Sequence, residues 1–449
     1  VNSTSTLEQL RTGQLAGARR LSLSCGLSEF PREIFDLADT LEILDLSGNA
    51  LTALPDDLPR LHKLRVVFAS NNPFTELPEV LGECSQLSMV GFKANRIRRV
   101  SGRALPPQLR WLILTDNEIE TLPREIGGCA QLQKLMLAGN RLRSLPDELA
   151  RCTRLELLRL AANRLDALPD WLAEMPRLAW LAYAGNPLSE PLEHAALVDE
   201  PIAEIEWDHL TLEQQLGEGA SGVIYRASLN SRESDSAAPR PVAVKLFKGV
   251  VTSDGLPDCE MAACIHGADH PNLIPVVGKV QGHPDQTHGL VMALIDPAFR
   301  NLAGPPSFDS CTRDVYAADT RFDSASAVQL AHGIASAAAH LHAKGVMHGD
   351  LYAHNILHRG QGSALLGDFG AASFYGTGSQ QGRVWQRLEV RAFGCLLEEL
   401  IERCDDLHAE PAIAATLLAL KAACLNDVPR ERPLFDDIAS RLSSPGDRR

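Results

Sequence analysis

The sequence predicts two successive folds in one chain: an α/β solenoid curved into a horseshoe over the first half, then an α+β domain of different texture. Three observations point there. Asparagines recur at Asn49, Asn72, Asn95, Asn117, Asn140, Asn163 and Asn186, spaced 22 or 23 residues apart, the signature of a stacked repeat. The period stops after AGNPLSEPL, where the proline-bearing SEPLEHAALVDEPIAEIE follows. From Trp207 onward, β-branched strand-like runs alternate with glycine turns and helix-like segments.

Bulk properties narrow the function classes. A chain of 449 residues, 45% apolar, builds roughly two to three domains with real cores. A formal net charge of −14 argues against a general binder of nucleic acid or anionic membrane, because both require a basic surface. Neither a signal peptide nor a run of apolar residues long enough to span a bilayer is expected, and the opening Val1 leaves room for an upstream segment. The 10 cysteines show no CxxC pair and no zinc-type spacing, which points to reduced thiols in a cytoplasmic setting. Cys84, Cys129 and Cys152 each stand three residues before a leucine, so they read as small apolar packing residues of the repeat.

Each repeat has the form LxxLxLxxNxLxxLPxxL. The LxL core is a short strand with its leucines turned inward, the asparagine bonds backbone at the following turn, and LPxxL closes the coil on the convex side. One unit cannot bury its leucines alone, so neighbours must stack. Residues 18–190 thereby resemble intracellular leucine-rich repeats of the LP type, a resemblance that implies protein binding on the concave face. Alternation along the strands assigns two outward rows, one from Ile43 through Trp111 to Trp180, the other from Asp45 through Met136 to Ala182. That face is apolar, and the expected partner surface centres on Trp111, Met136 and Trp180, with either another protein or the second half of the chain as its occupant.

In the second half, LGEGASGVIY supplies Gly217, Gly219 and Gly222, followed by Val223 and a β-branched strand rather than a helix. Glycines permit close backbone approach to phosphate oxygens. After a polar insert, SLNSRESDSAAPRP, comes the strand VAVKLF with Ala243 and Lys245, then a helix-like segment with Glu260 and the tripeptide HPN. Together these motifs resemble the small lobe of the eukaryotic-type protein kinase fold. The resemblance implies a bilobal domain that binds ATP, with Lys245 on the α- and β-phosphates and paired with Glu260. Asp258 is the competing carboxylate. Gly217, Gly219, Gly222, Val223, Ala243, Met292 and Leu294 then surround the nucleotide, Met292 guarding the rear of the adenine pocket beside a hinge at Ala293 to Ile295.

Further on, HGDLYAHNIL and GDFGAA fall in the order and spacing of the kinase catalytic loop and metal-binding motif. By the resemblance, Asp350 faces the acceptor hydroxyl, while Asn355 and Asp368 hold Mg2+ through hard oxygen donors. His340, His342, His348, His354 and His358 crowd this region; His348 reads as a packing residue and the others as mostly exposed, not as a zinc site.

Departures from the family pattern matter equally. Gly349 replaces the arginine that gathers a phosphorylated activation loop in many protein kinases, which argues against control by loop phosphorylation. Tyr352 stands where serine/threonine kinases often place lysine, and His354 where some tyrosine kinases place arginine. The stretch from Gly370 to Glu389, the latter in the aspartate position of a DVWSFG-like helix, is short and lacks APE, and Arg432 lacks its expected glutamate. HGD with an asparagine five residues on also resembles aminoglycoside and choline phosphotransferases, and the shortened segment also suits a pseudokinase scaffold. The adopted reading is a cytoplasmic, ATP- and Mg2+-dependent protein kinase acting on serine/threonine, nearest to the tyrosine-kinase-like group. Its repeat domain spans 1–195 and its kinase domain 207–445, with a small lobe at 207–293 and a large lobe at 294–445.

Overall fold

The computed structural model describes residues 3–199, 202–219, 221–230, 238–248, 251–252, 254–378 and 380–443. Most of the polar insert, 231–237, lies outside the described residues. The chain divides into two compact units, Val1–Leu178 and Ala179–Arg449. Among the described residues no helix is long and apolar enough to cross a membrane.

The first unit opens with helix α1 (Ser3–Arg11) and continues as a parallel ribbon of three-residue strands: β1 (Arg20–Ser22), β2 (Ile43–Asp45), β3 (Val66–Phe68), β4 (Met89–Gly91), β5 (Trp111–Ile113), β6 (Lys134–Met136) and β7 (Leu157–Arg159). Each pairs in parallel with the next, and equivalent repeat positions face one another, as in Met89 opposite Trp111 and Trp111 opposite Lys134. The central residues Leu44, Val67, Leu112, Leu135 and Leu158 are completely buried. Full burial of such a side chain stabilises by about 1.5–3 kcal/mol, so stacking is what holds each coil. Most LPxxL segments become short 3-10 helices entered from proline, such as Arg124–Gly128 after Pro123, whereas Leu58–Arg60 is entered from Asp57.

The asparagines reach further than the turn that follows them. Asn117 accepts from the Ile97 amide and donates to the carbonyls of Phe92 and Leu114, joining its own unit to the previous one. Asn140 and Asn163 repeat the pattern. The residue before each ladder asparagine takes positive φ: glycine at 48, 139 and 185, but Asn71, Ala94, Asp116 and Ala162 elsewhere.

The second unit starts at β8 (Trp180–Ala182), the strand of the last repeat by sequence, followed by helix α2 (Glu190–Asp199). The proline-bearing stretch read as a boundary thus contains a helix, because Pro191 falls in its first turn, where its fixed φ and missing N–H cost nothing. Then come β9 (Glu204–Glu206), β10 (Leu210–Glu218), β11 (Gly222–Leu229), β12 (Arg240–Phe247), helix α3 (Pro257–His266), β13 (Val276–Gln281) and β14 (Gly289–Ala293). They form a sheet in the order β10-β11-β12-β14-β13-β9. One face of it packs Ile205, Leu210, Val242, Val244 and Val291 together. Helices α4 (Ser324–Ala343), α5 (Gln380–Ile401), α6 (Pro411–Cys424) and α7 (Phe435–Leu442) follow, with a three-stranded sheet formed by Arg300–Asn301, Ile356–Arg359 and Ser363–Leu366. Between α4 and α5, Val346–Met347 pairs antiparallel with Ser373–Phe374.

Candidate active site

Alternation along β12 decides which side chains reach the cleft. Val242 and Val244 belong to the buried cluster on one face, so Ala243 and Lys245 occupy the other. Across from Lys245, α3 begins with Pro257 at its first position and brings Glu260 inward, where its carboxylate pairs with the Lys245 ammonium. Asp258 turns instead to His288, at 2.6 Å. Burial works against the charge on Lys245, but the carboxylates of Glu260 and Asp368 outweigh it and hold its pKa above the ordinary value.

A cavity of about 180 Å³ lies here, lined among others by Gly219, Gly222, Ile224, Lys245, Glu260, Met292 and Asp368. Gly217, Val223, Ala243, Leu294, Asp350 and Asn355 are not part of that lining. For Val223 the reason is the strand period: Ile224, two residues past Gly222, stands opposite Lys245 in register and faces the cavity, while Val223 points away. The cleft-facing β-branched residue is therefore Ile224, and counting by twos from Gly222 finds it. Cys264, one helical turn after Glu260, also lines the cavity, an i,i+4 relation legible in the sequence but not drawn from it.

The catalytic-loop segment is organised from its backbone outward. Asn355 donates its side-chain amide to the Asp350 carbonyl at 2.9 Å and to the Asp350 carboxylate at 2.8 Å. The His348 ring is fully buried and bonds the Gly367 carbonyl at 2.9 Å, tying this loop to the segment carrying Asp368. Asp368 takes φ 56 and lines the cavity, with Gly370 donating to its carboxylate at 3.2 Å. Beneath the loop sits Glu389 of α5, only 1% exposed. It accepts from the amides of His348 (3.1 Å) and Gly349 (2.6 Å) and meets His342 Nε2 at 2.7 Å. Burial pushes its pKa up, but the bonds from His342 and the Gly349 amide prevail and the net displacement is downward.

Several expectations change. Gly349 takes φ 73, and a Cβ there would stand 2.4 Å from the Ala371 carbonyl oxygen and 2.8 Å from that of Leu181. The residue is a glycine because the backbone leaves room for nothing else. His342 is buried and His354 half-buried, its Nδ1 2.7 Å from Asp314; burial opposes charge on His354, but Asp314, with Asp350 and Asp368 beyond, holds its pKa up. Arg432 donates to the carbonyls of Asn426 and Arg387, and burial lowers its pKa to about 10. After the Ser373–Phe374 strand, α5 starts already at Gln380.

The expected partner surface also needs correcting. Trp180 is 1% exposed: its ring stacks on Tyr352 at 4.2 Å and its N–H donates to the Leu351 carbonyl at 3.1 Å. Trp111 and Met136 are half-buried, the indole N–H 3.4 Å from the Met136 sulfur and the Lys134 ammonium 4.5 Å from the ring. Val66, Met89 and Leu157 of the outward rows are buried.

The family described as protein tyrosine and serine/threonine kinase matches residues 210–391, and leucine-rich repeat families match 40–61 and 130–188. Mouse leucine-rich repeat and calponin homology domain-containing protein 1 is 30% identical over 126 residues, 27% of this chain and 18% of that one. Human PH domain leucine-rich repeat-containing protein phosphatase 1 is 33% identical over 92 residues, 20% of this chain and 5% of its own length. A solved leucine-rich repeat protein of Leptospira interrogans is 28% identical, with a TM-score of 0.38 over 42% of this chain and 49% of that one. In each case the chain spans less than half of the relative's length. The chain is a fusion of leucine-rich repeats with a domain of the protein tyrosine and serine/threonine kinase family.

Proposed function

We propose that this chain is an active, ATP-dependent protein kinase that transfers the γ-phosphate to a serine/threonine hydroxyl of a protein acceptor recruited by the repeats. The observation that carries the reading is the convergence of the Lys245–Glu260 pair and Asp368 on one cavity, together with a loop in which Asn355 is bonded to Asp350. Lys245, kept charged by its carboxylate neighbours, is suited to the α- and β-phosphates under the glycine turn of Gly217, Gly219 and Gly222. Asp350 orients the attacking hydroxyl and receives its proton. Asn355 and Asp368 fit magnesium, which is typically held by one or two carboxylates with phosphate oxygens completing its shell. When bound, the metal neutralises charge on the transferring phosphoryl group. What these side chains contribute is positioning and electrostatic complementarity, which is most of what phosphoryl transfer asks of a protein.

The kinase domain is read as 207–445, with lobes meeting near 293–294, and the repeats as a dock of which Trp111 and Met136 remain the anchors. Docking raises the effective concentration of the acceptor. The test is incubation of the full chain with radiolabelled ATP and magnesium, with generic protein and aminoglycoside acceptors, alongside Asp350→Asn. Labelling of protein by the wild type and its loss in Asp350→Asn, with nucleotide binding retained, supports the reading. Transfer to aminoglycoside alone, or ATP binding without any transfer, overturns it.

A further inference from the structure

Two aromatic residues that precede the kinase-family match are built into the catalytic machinery of the same compact unit. Trp180 and Tyr183 are each 1% exposed. Trp180 lies nearly parallel on Tyr352, with 6° between the rings, and donates its N–H to Leu351, the residue directly after Asp350. Tyr183 serves the other segment: its amide donates to the Ser373 hydroxyl at 2.9 Å and its own hydroxyl to the Phe374 carbonyl at 3.1 Å. Between them, the Leu181 carbonyl lies against Gly349, at the closest approach this backbone permits. Three of four consecutive residues, Trp180, Leu181 and Tyr183, therefore grip the loop carrying Asp350 and Asn355 and the segment that follows Asp368.

We propose that Trp180 and Tyr183 are positioning residues for phosphoryl transfer: residues 180–183 brace the catalytic loop against the activation segment and set Asp350 relative to Asp368. The inference rests on the proposed kinase activity for its kinetic readout and on the contacts above for its structural one. Gly349 follows as part of the brace, since any side chain there would push against both the Leu181 and Ala371 carbonyls. The glycine that marks an absent arginine makes room for a different anchor. Tyr352 likewise gains a role, its ring being the platform on which Trp180 rests.

The test uses the full chain with Trp180→Phe, which keeps an aromatic ring but loses the N–H, and Tyr183→Phe, which loses only the hydroxyl. Melting temperature, nucleotide Kd, KM for ATP, kcat, and hydrogen exchange at residues 348–355 and 371–375 are compared with the wild type. Displacing reacting groups by a fraction of an ångström lowers kcat on the order of tenfold, with ATP affinity unchanged, because the brace touches no nucleotide contact. Exchange rises in those two segments and not in β12 or β14. A kcat and exchange pattern equal to wild type in both variants overturns the proposal, as does a loss of activity that merely tracks the folded fraction with exchange raised uniformly. If the wild type itself transfers no phosphate, the proposed function fails, and exchange alone then decides whether the brace exists.

Discussion

Glu389→Gln isolates the anchor beneath the catalytic loop. The carboxylate satisfies the His348 and Gly349 amides and His342 at once, while 1% exposed. Glutamine has the same shape but only one acceptor oxygen, so its NH2 group must face a donor on the other side. One hydrogen bond to a charged acceptor, worth about 1.5–3 kcal/mol, is lost, and a buried N–H is left unmatched at about 1–3 kcal/mol. The two effects overlap, and a net destabilisation of about 3 kcal/mol is expected, or roughly 6–12 °C in Tm for a unit of this size. Urea unfolding at pH 7 measures it. The pH dependence carries a sign. The folded pKa of Glu389 lies below its unfolded value, so the stabilisation is complete above the unfolded pKa of about 4.3 and fades as pH falls through the folded one. The gap between wild type and variant is therefore flat near neutrality and closes on acidification below about pH 4. A destabilisation under about 1 kcal/mol, or a gap that widens in acid, refutes the assigned role.

Other perturbations read other parts of the chain. Gly349→Arg, which restores the familiar tripeptide, places a side chain at φ 73 against two carbonyl oxygens; the strain alone costs about 1–3 kcal/mol, and Tm and transfer rate should both fall. A variant as stable as the parent would refute the close packing of the Leu181 and Ala371 carbonyls on this residue. Ala94→Gly and Ala162→Gly replace residues held at φ 53, and relief of left-handed strain of about 1–2 kcal/mol should exceed the entropy cost of glycine; chemical denaturation showing either variant to be weaker contradicts this. Burial pushes the thiols of Cys84 and Cys129 up to about 11 and that of Cys152 to about 12. At pH 8 these three should resist alkylation in folded protein and react only in urea, as followed by peptide mass spectrometry. Stoichiometric labelling of the native chain at any of them would place it outside the packed repeat.

What the sequence discloses depends on how its information is spaced. The repeats are legible because each constraint recurs: the inward leucine, the ladder asparagine and the LP turn appear at one period, and strand ends such as Trp111–Ile113 fall where alternation puts them. The left-handed position before each asparagine was equally open to reading, since glycine holds it at 48, 139 and 185. In the second half, Lys245 and Glu260 carry a recognisable order of motifs, and the structure brings them together. Ile224 was missed for want of counting by twos from Gly222. Trp180 is a different matter. Its partner Leu351 lies 171 residues away, and nothing local separates a tryptophan meant for an outside partner from one destined for the catalytic loop, since both demand a large apolar ring on an outward strand position.

The same reasoning explains why Gly349 misleads when considered alone. A glycine in place of an arginine reads as a lost contact, because the family pattern records what a side chain does and not what space it occupies. Only with the Leu181 and Ala371 carbonyls beside it does the residue become a requirement of close packing. Gly349 and Trp180 are then two parts of one arrangement: the first leaves room for the Leu181 and Ala371 carbonyls, and the second, one residue before Leu181, is stacked on Tyr352 and bonded to Leu351. Tyr352, standing where serine/threonine kinases often place lysine, belongs to the same arrangement. Changing any one of the three while retaining the others should therefore disturb the catalytic loop more than the sum of small local losses, because the remaining two are shaped for a partner no longer present.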